Sequence, residues 1–284
     1  MKVPVSKERS KAPGKPPSGE PEPPTIVHAS SARMTEVLDA QVALVLSGPP
    51  YFSKKVESWM QDEDPALEEP EGAEATRESM VRDTIRFAWG LRGVFEEVWR
   101  VTMPGGWAIL QTRDVRFRQQ LAPVEAIHRE LMESQGFQLY TRYFWRPPHT
   151  RLTRRRVLNS LGRAFAPLPF DPEVFLVFFK PGAPRTGEPT SQDVELLTRE
   201  SLVTPVGQQP VRHRHHSPVP LIQALVRSYS RPGDLVLDPF AGAGTIPRAA
   251  LALGRRAIGY EVDPDSMDSI RKNLALTLAV PDHV

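Results

Sequence analysis

Leu235-Val236-Leu237-Asp238-Pro239-Phe240-Ala241-Gly242-Ala243-Gly244-Thr245 is the stretch from which the fold can be read. Pro232-Gly233-Asp234 turns the chain into a short apolar run, Leu235 to Asp238, of the kind a buried strand needs. Gly242 and Gly244 then permit a tight turn and close approach of a ligand to the backbone. A helix is expected from Pro247 to Leu253 and a second strand from Ala257 to Glu261. Strand, helix and strand with short links make a parallel βαβ unit. The fold class is therefore α/β, a Rossmann-like doubly wound and mostly parallel sheet. The helix N-terminus behind the loop offers unpaired N–H groups to a carboxylate or phosphate. Glu261, at the end of the second strand, stands where an acid accepts hydrogen bonds from the ribose hydroxyls of an adenine cofactor. The loop is neither a GxGxxG nor a P-loop, since no lysine follows its glycines. Glycine loops also join strands to helices without binding anything, and it is the pairing with Glu261 that points to a cofactor.

Upstream of this unit, Ser217-Pro218 reads as a helix start, a capping hydroxyl with proline at the first helical position. Leu221, Ile222, Leu225, Val226 and Tyr229 follow as one apolar face. Near the other end of the chain, Val42-Ala43-Leu44-Val45-Leu46 reads as a buried strand that stops at Ser47-Gly48-Pro49-Pro50-Tyr51. Residues 53–76 are acidic, broken by Pro65 and Pro70, and read as a loop. Ile85, Trp89, Val94, Val98 and Trp99 recur at helical spacing up to a break at Pro104-Gly105-Gly106. Strands are expected at 107–111, 137–145 and 174–179, with a helix at 127–134. Residues 182–212 are polar and proline-rich and read as a loop or small insertion.

Composition narrows the chemistry. The 284 residues are 40% hydrophobic and 25% charged, an ordinary globular balance. Thirty are proline, about twice the usual share, and seven of these fall in residues 1–24. That stretch lacks the apolar surface to fold alone and is expected to be a disordered tail. Cysteine is absent, which excludes disulfides, thiolate metal sites and a thiol nucleophile. No run is long and apolar enough for a membrane span, and the first residues lack a signal peptide's apolar core, so an intracellular protein is expected. The net charge of +2 conceals an asymmetry. Glu57 to Asp83 holds ten acids against two arginines. Thr141 to Arg163 holds seven arginines and no acid, which suggests a localised polyanion site.

Pro49-Pro50 fixes the backbone so that carbonyls can face a cleft without competing N–H groups, and Tyr51 offers a ring on which a base could stack. The turn follows a buried strand, where ligands sit in open α/β sheets. Together these features resemble the S-adenosylmethionine-dependent amino-methyltransferases of DNA, over almost the whole chain from Thr25. Leu46 to Phe52 is similar to the family's catalytic motif, Asp/Asn/Ser-Pro-Pro-Tyr/Phe. Val98 to Gly106, Gly136 to Pro148 and Glu173 to Pro181 are similar to its later sheet motifs. His216-Ser217-Pro218, Gly233 to Phe240 and Gly259-Tyr260-Glu261 are similar to its cofactor half. The Pro-Pro-Tyr motif precedes the glycine loop, a circularly permuted order that resembles the β group of these enzymes. The lack of cysteine also speaks against methylation at cytosine C5.

The resemblance implies transfer of a methyl group from S-adenosylmethionine to an exocyclic amine of a flipped base in double-stranded DNA, cytosine N4 ahead of adenine N6. It implies a catalytic group of Ser47, Gly48, Pro49, Pro50 and Tyr51. It also implies a cofactor site of His216, Ser217, Pro218, Asp238, Phe240, Ala241, Gly242, Gly244, Thr245 and Glu261. DNA contact is expected in 146–163, through Arg146, Arg151, Arg154, Arg155, Arg156 and Arg163, and in 183–215. No metal is implied, since nothing is spaced to complete a site with His213, His215 and His216. A single methyltransferase domain is expected over 25–284, in a cytoplasmic, nucleoid-associated protein of prokaryotic type. A cognate restriction endonuclease is a partner such enzymes can have. In two places the chain departs from the family pattern. Gly48 stands where Ser, Asp or Asn supplies a side-chain acceptor, leaving Ser47 and the Pro49 carbonyl as the expected pair. Ala29-Ser30-Ser31 stands where Gly-Asp is usual. An RNA methyltransferase on the same scaffold and a binding protein without turnover remain alternatives.

Overall fold

The structure is a computed structural model that describes residues 23–50, 77–117, 120–145, 173–198 and 218–278. Tyr51, the acidic stretch 53–76, the six arginines between Arg146 and Arg163, His216, Ser217 and residues 1–22 of the tail lie outside the described residues.

In chain order the elements are β1 (Thr25–His28), β2 (Val42–Ser47), α1 (Arg77–Val101), β3 (Thr102–Thr112), β4 (Val115–Phe117), β5 (Gln120–Ala122), α2 (Val124–Ser134), β6 (Gln138–Trp145), β7 (Glu173–Phe179), α3 (Ser191–Leu197), α4 (Val219–Tyr229), β8 (Leu235–Asp238), α5 (Thr245–Ala252), β9 (Arg256–Glu261) and α6 (Pro264–Leu278). Seven strands form one sheet in the order β1-β9-β8-β2-β3-β7-β6, while β4 and β5 pair separately as a hairpin. From β1 to β3 every pairing is parallel. β7 runs antiparallel to both β3 and β6.

Helices cover both faces. Phe87, Leu91, Val94, Phe95 and Val98 of α1, with Val124 and Met132 of α2, pack on Val45, Leu110, Leu176 and Leu237. On the other face Leu221, Ile222 and Leu225 of α4, with Ile246, Ala249 and Ala250 of α5, pack on Leu44, Leu46, Ile109, Val177 and Val236. Residues of β2 and β8 thus alternate between two cores, which is why both strands read as continuous apolar runs.

Several expectations need correction. The buried stripe of α1 is 87-91-94-95-98, whereas Ile85 and Trp89 are exposed at 52% and 63%. The indole of Trp89 instead lies under the Arg92 guanidinium, 5.1 Å from the ring centre. The strand expected from residue 107 begins earlier, at Thr102, and Pro104-Gly105-Gly106 lies within its irregular start. Register jumps there from Val42 opposite Thr102 to Leu44 opposite Trp107. Lys180 Nζ donates to the carbonyls of Trp99, in the last turn of α1, and of Thr102, at the start of β3, at 2.6 and 2.7 Å. Pro218 is the N-cap of α4 rather than its first residue and makes no side-chain cap there.

The span read as loop at 182–212 contains α3, started by a capping box between Thr190 and Asp193. Asp193 also receives both arms of Arg227 at 2.6 Å, and Arg185 pairs with Asp234. The first half of the 183–215 segment is therefore tied along α4 and the entry to β8.

Candidate active site

β8, β2 and β3 run in the same direction and end side by side at Asp238, Ser47 and Thr112, where antiparallel β7 begins at Glu173. From β8 the chain crosses through α5 to β9 on one side; from β2 it crosses through α1 to β3 on the other. The crevice between β8 and β2 is thus a topological switch point, the place where open α/β sheets bind ligands. Both motifs singled out in the sequence meet there.

One hydrogen bond fastens them together. Ser47 Oγ donates to Asp238 Oδ1 at 2.6 Å, and the Phe240 N–H donates to the same oxygen at 3.1 Å. Ser47 and Asp238 are 1% and 2% exposed. Burial pushes the Asp238 carboxyl up to about 7, against the pull of those two donors and with some further push from the charge of Glu261. The bond gives Ser47 a different task from the one its sequence position suggests. Its proton is committed to Asp238 and its side chain is sealed from solvent, so it ties the proline turn to the glycine loop.

On the cofactor side, Gly242 and Gly244 both adopt left-handed backbone, with φ of 52° and 76°. At Gly244 a Cβ would also come within 3.1 Å of Ile270 on α6. Gly244 caps α5, which Thr245 opens. The Ala241 N–H donates to the Tyr260 carbonyl at 2.8 Å, closing the loop onto β9. Glu261 accepts from the Gly242 N–H through Oε2 at 2.7 Å and from the Asp263 N–H through Oε1 at 2.8 Å. A carboxylate has about four acceptor positions, so each oxygen keeps lone-pair capacity for the two vicinal hydroxyls of a ribose. These residues fit an adenosyl cofactor: an acid already aimed at the loop, and a bare backbone beside it.

On the other side, Gly48 is exposed, Pro49 buried and Pro50 half-buried. Gly48 is not among the glycines with positive φ, and among the described residues a Cβ there would meet only Gln111 Cβ, at 4.0 Å. Neither backbone strain nor crowding by the described residues accounts for glycine at this position. Gln111, near the end of β3, is 8% exposed and its Nε2 donates to the carboxylate of Glu173, itself 7% exposed. Arg113 Nη1 lies 3.9 Å from the other Glu173 oxygen. The sequence reading missed this pair. The available signal was a polar residue ending one apolar strand and an acid opening another. Behind it, the buried His128 of α2 places Nδ1 2.9 Å from Thr112 Oγ1, between Phe87 and Phe95. Burial drives its pKa down to about 3, so it is a neutral core group.

Among the described residues no helix is long and apolar enough to cross a membrane, and no cluster of three or more metal-binding side chains occurs.

Comparison with known proteins agrees with this geometry. A family model described as DNA methylase, of the N6/N4 type, matches residues 42–272. The type II methyltransferase M.MthZI of Methanothermobacter thermautotrophicus is 30% identical over 292 residues, an alignment covering 91% of this chain and 78% of that protein. M.MjaI of Methanocaldococcus jannaschii is 28% identical over 286 residues, covering 88% and 91%. Among solved structures, a protein of Thermus thermophilus assigned as a DNA modification methylase, in complex with S-adenosyl-L-methionine, is 26% identical with a TM-score of 0.64, covering 90% of this chain and 96% of that one. The PvuII DNA methyltransferase, cytosine-N4-specific, shares the fold with a TM-score of 0.67 at 14% identity, covering 93% and 88%.

Proposed function

The chain belongs to the N6/N4 DNA methylase family, and from that premise we propose that it methylates an exocyclic amine of a flipped DNA base, cytosine N4 in preference to adenine N6. The Ser47–Asp238 bond carries the reading. It joins the Pro-Pro turn to the glycine loop across the switch point, so an amine and a methyl donor held by the two motifs would share one crevice. The preference for cytosine rests on the presence of a serine in the motif, not on its hydroxyl, which is given to Asp238.

S-adenosylmethionine, the cofactor of the family, supplies a methyl group on a sulfonium sulfur, a leaving group that needs no acid to depart. Every other contribution comes from positioning. Glu261 would accept the ribose hydroxyls while its bond to Gly242 keeps the loop in register. Asp238, Phe240, Ala241, Gly244 and Thr245 would form the rest of the cradle, and His216, Ser217 and Pro218 are proposed to belong to it. Pro49 would turn its carbonyl to one N–H of the target amine, and Tyr51 would stack on the base once it leaves the duplex. An amine conjugated with its ring has a poorly available lone pair, and accepting both of its N–H bonds draws the nitrogen toward a tetrahedral, nucleophilic state.

The arginine-rich 146–163 stretch and the 199–215 part of the second segment are proposed to contact DNA. In support, Trp145 and Glu173, which flank the arginine stretch, face each other in register at the same sheet edge as Gly48. The domain is proposed to extend over 25–284, with 1–24 as a tail.

Incubation of the protein with methyl-labelled S-adenosylmethionine and DNA from a host lacking amino methylation, followed by mass spectrometry of the nucleosides, tests the reading. N4-methylcytosine is the expected product. N6-methyladenine would reverse the base assignment, and label entering RNA but not DNA would overturn the substrate. A second reading has one specific observation in its favour. The missing side chain at Gly48 suits a protein that binds cofactor and DNA without turnover, and in that case no methylated nucleoside forms.

A further inference from the structure

Two buried acids away from the crevice are each answered by an arginine: Asp193 holds Arg227 and Asp234 holds Arg185. Asp238, 2% exposed at the end of β8, differs from them. Its two partners are neutral, the Ser47 hydroxyl and the Phe240 N–H, and both donate to Oδ1. Among the described residues no basic side chain pairs with it. We propose that Asp238 is the counter-ion of the cofactor's sulfonium, and that it gives up a proton to solvent when S-adenosylmethionine enters and takes one back once the methyl group has left. This rests on the reading of the crevice as the S-adenosylmethionine site.

The place of Asp238 points to the sulfonium. A methyl group passed from the glycine-loop side to the Pro-Pro turn crosses where the Ser47–Asp238 bond spans the two motifs, so the sulfur that carries it belongs beside this carboxyl. The described protein supplies no cation there, and the ligand brings one. The carboxyl can exist in either form without moving, because two donors hold Oδ1 in place and no described group bonds Oδ2. Few groups face it. Ser47 comes from β2 and Phe240 from the loop, while β9 places Gly259 in register with it and Glu261 two residues further on. α4 and α5 present apolar Leu221, Ile222 and Ile246 to the face of β8 that carries Val236 and Asp238. Glu261 is the one charge among these, and its sign disfavours a second anion beside it. Burial, opposed by the Ser47 and Phe240 donors, brings the Asp238 carboxyl up to about 7. A neighbouring positive charge is then enough to decide its state at neutral pH.

The charges balance at each step. On binding, the Asp238 O–H bond breaks and its proton goes to solvent, leaving a carboxylate against the sulfonium. In transfer the amine nitrogen bonds to the methyl carbon, the C–S bond breaks with its electrons kept by sulfur, and the methylated nitrogen sheds one N–H proton. Sulfur is then neutral, and the Asp238 carboxylate, left without a cation, recovers a proton. One proton is released overall for each methyl group transferred. The consequence is a bias between substrate and product. Acidification weakens the binding of S-adenosylmethionine but not of its thioether product, S-adenosylhomocysteine, so product inhibition sharpens as pH falls.

The test is calorimetry of the full chain with each of the two ligands, in buffers of different ionisation enthalpy. S-adenosylmethionine should release close to one proton at about pH 6 and much less at about pH 7.5, and its affinity should fall about ten-fold between those two values. S-adenosylhomocysteine, which keeps the ammonium and carboxylate but lacks the sulfonium, should bind without proton release and with a flat pH profile. Asp238→Asn should bind S-adenosylmethionine with neither proton release nor pH dependence over this range. Ser47→Ala removes a donor that favours the anion, so it should retain the release and move its midpoint to higher pH. Equal release with the two ligands would assign the proton to the ammonium and overturn the proposal, as would release that persists in Asp238→Asn. Should Asp238→Asn bind neither ligand, Ser47→Ala decides, and an unmoved midpoint overturns the proposal. Binding of both ligands to the wild type without proton release overturns it and leaves the cofactor site intact. A wild type that binds neither ligand overturns the site itself.

Discussion

On the β8–β9 side of the crevice, the groups suited to hold the cofactor come from one continuous run, Asp238 to Glu261, closed on itself by the Gly242–Glu261 and Ala241–Tyr260 bonds. On the β2–β3–β7 side, the crevice is flanked by Gly48 and Pro49 in the turn after β2, Gln111 of β3 and Glu173 of β7, four positions from three separate segments of the chain. The first region is a local device that any parallel βαβ unit can carry. The second exists only when the sheet is assembled in its particular order. The contrast implies that the cofactor side tolerates change in its neighbours, whereas the target side depends on the joint between them.

That joint is the first place to break the contrast. Asp238→Ala leaves Ser47 Oγ and the Phe240 N–H without their shared acceptor. Two orphaned buried donors should cost about 2–4 kcal/mol, measured as a lower urea midpoint at constant m-value. Asp238→Asn keeps an oxygen in the same place and should cost far less. Equal losses in the two variants would mean that the joint contributes nothing.

The second test isolates the local device. Glu261→Ala should weaken S-adenosylmethionine binding by about 1–3 kcal/mol, read by calorimetry. DNA binding in the absence of cofactor should be little affected. An unchanged cofactor affinity would remove Glu261 from the site.

The two sides should also titrate in opposite senses. Asp238 holds a proton in the folded state up to about pH 7, while an unfolded aspartate has lost it above about 4. Its contribution to stability is therefore full below that unfolded value and disappears as pH rises toward 7. His128 is the reverse. It remains neutral in the fold down to about pH 3, while the unfolded imidazole protonates below about 6.5. Its contribution is present above 6.5 and disappears as pH falls. Between about pH 4 and 6.5 the two slopes, each at most about 1.4 kcal/mol per pH unit, oppose one another. In the protein without cofactor, Asp238→Asn should expose the acid lability due to His128, seen as a steeper loss of stability on acidification than in the wild type. Parallel stability–pH curves for the two proteins would show that Asp238 is not protonated in the fold.

The smallest effect is expected at Gly48. With ordinary φ and no described residue closer than 4.0 Å to its missing Cβ, Gly48→Ser should change the unfolding free energy by less than about 0.5 kcal/mol. A loss above about 1 kcal/mol would mean that the turn needs glycine after all.

The glycine loop, Glu261 and the Pro-Pro turn were all legible as sequence because their chemistry is written in adjacent residues: a turn needs its glycines in place, and a strand that ends in a turn shows both together. The same holds for β2, β7 and β8, whose continuous apolar runs report burial on both faces. Periodicity was weaker where two faces compete. Ile85 and Trp89 fit a helical spacing as well as Phe87 and Leu91 do, and only packing against the sheet selects the second set. The β4–β5 hairpin was missed because its strands are only three residues long, and β1 and α3 because each is short and pairs with partners distant in sequence. Arg227 against Asp193 is an instance. The bond from Ser47 to Asp238 spans 191 positions, and the pair Gln111–Glu173 spans 62. Such contacts depend on strand order and register, which are chosen by the free energy of the whole packed sheet, and no pattern of neighbouring residues encodes them.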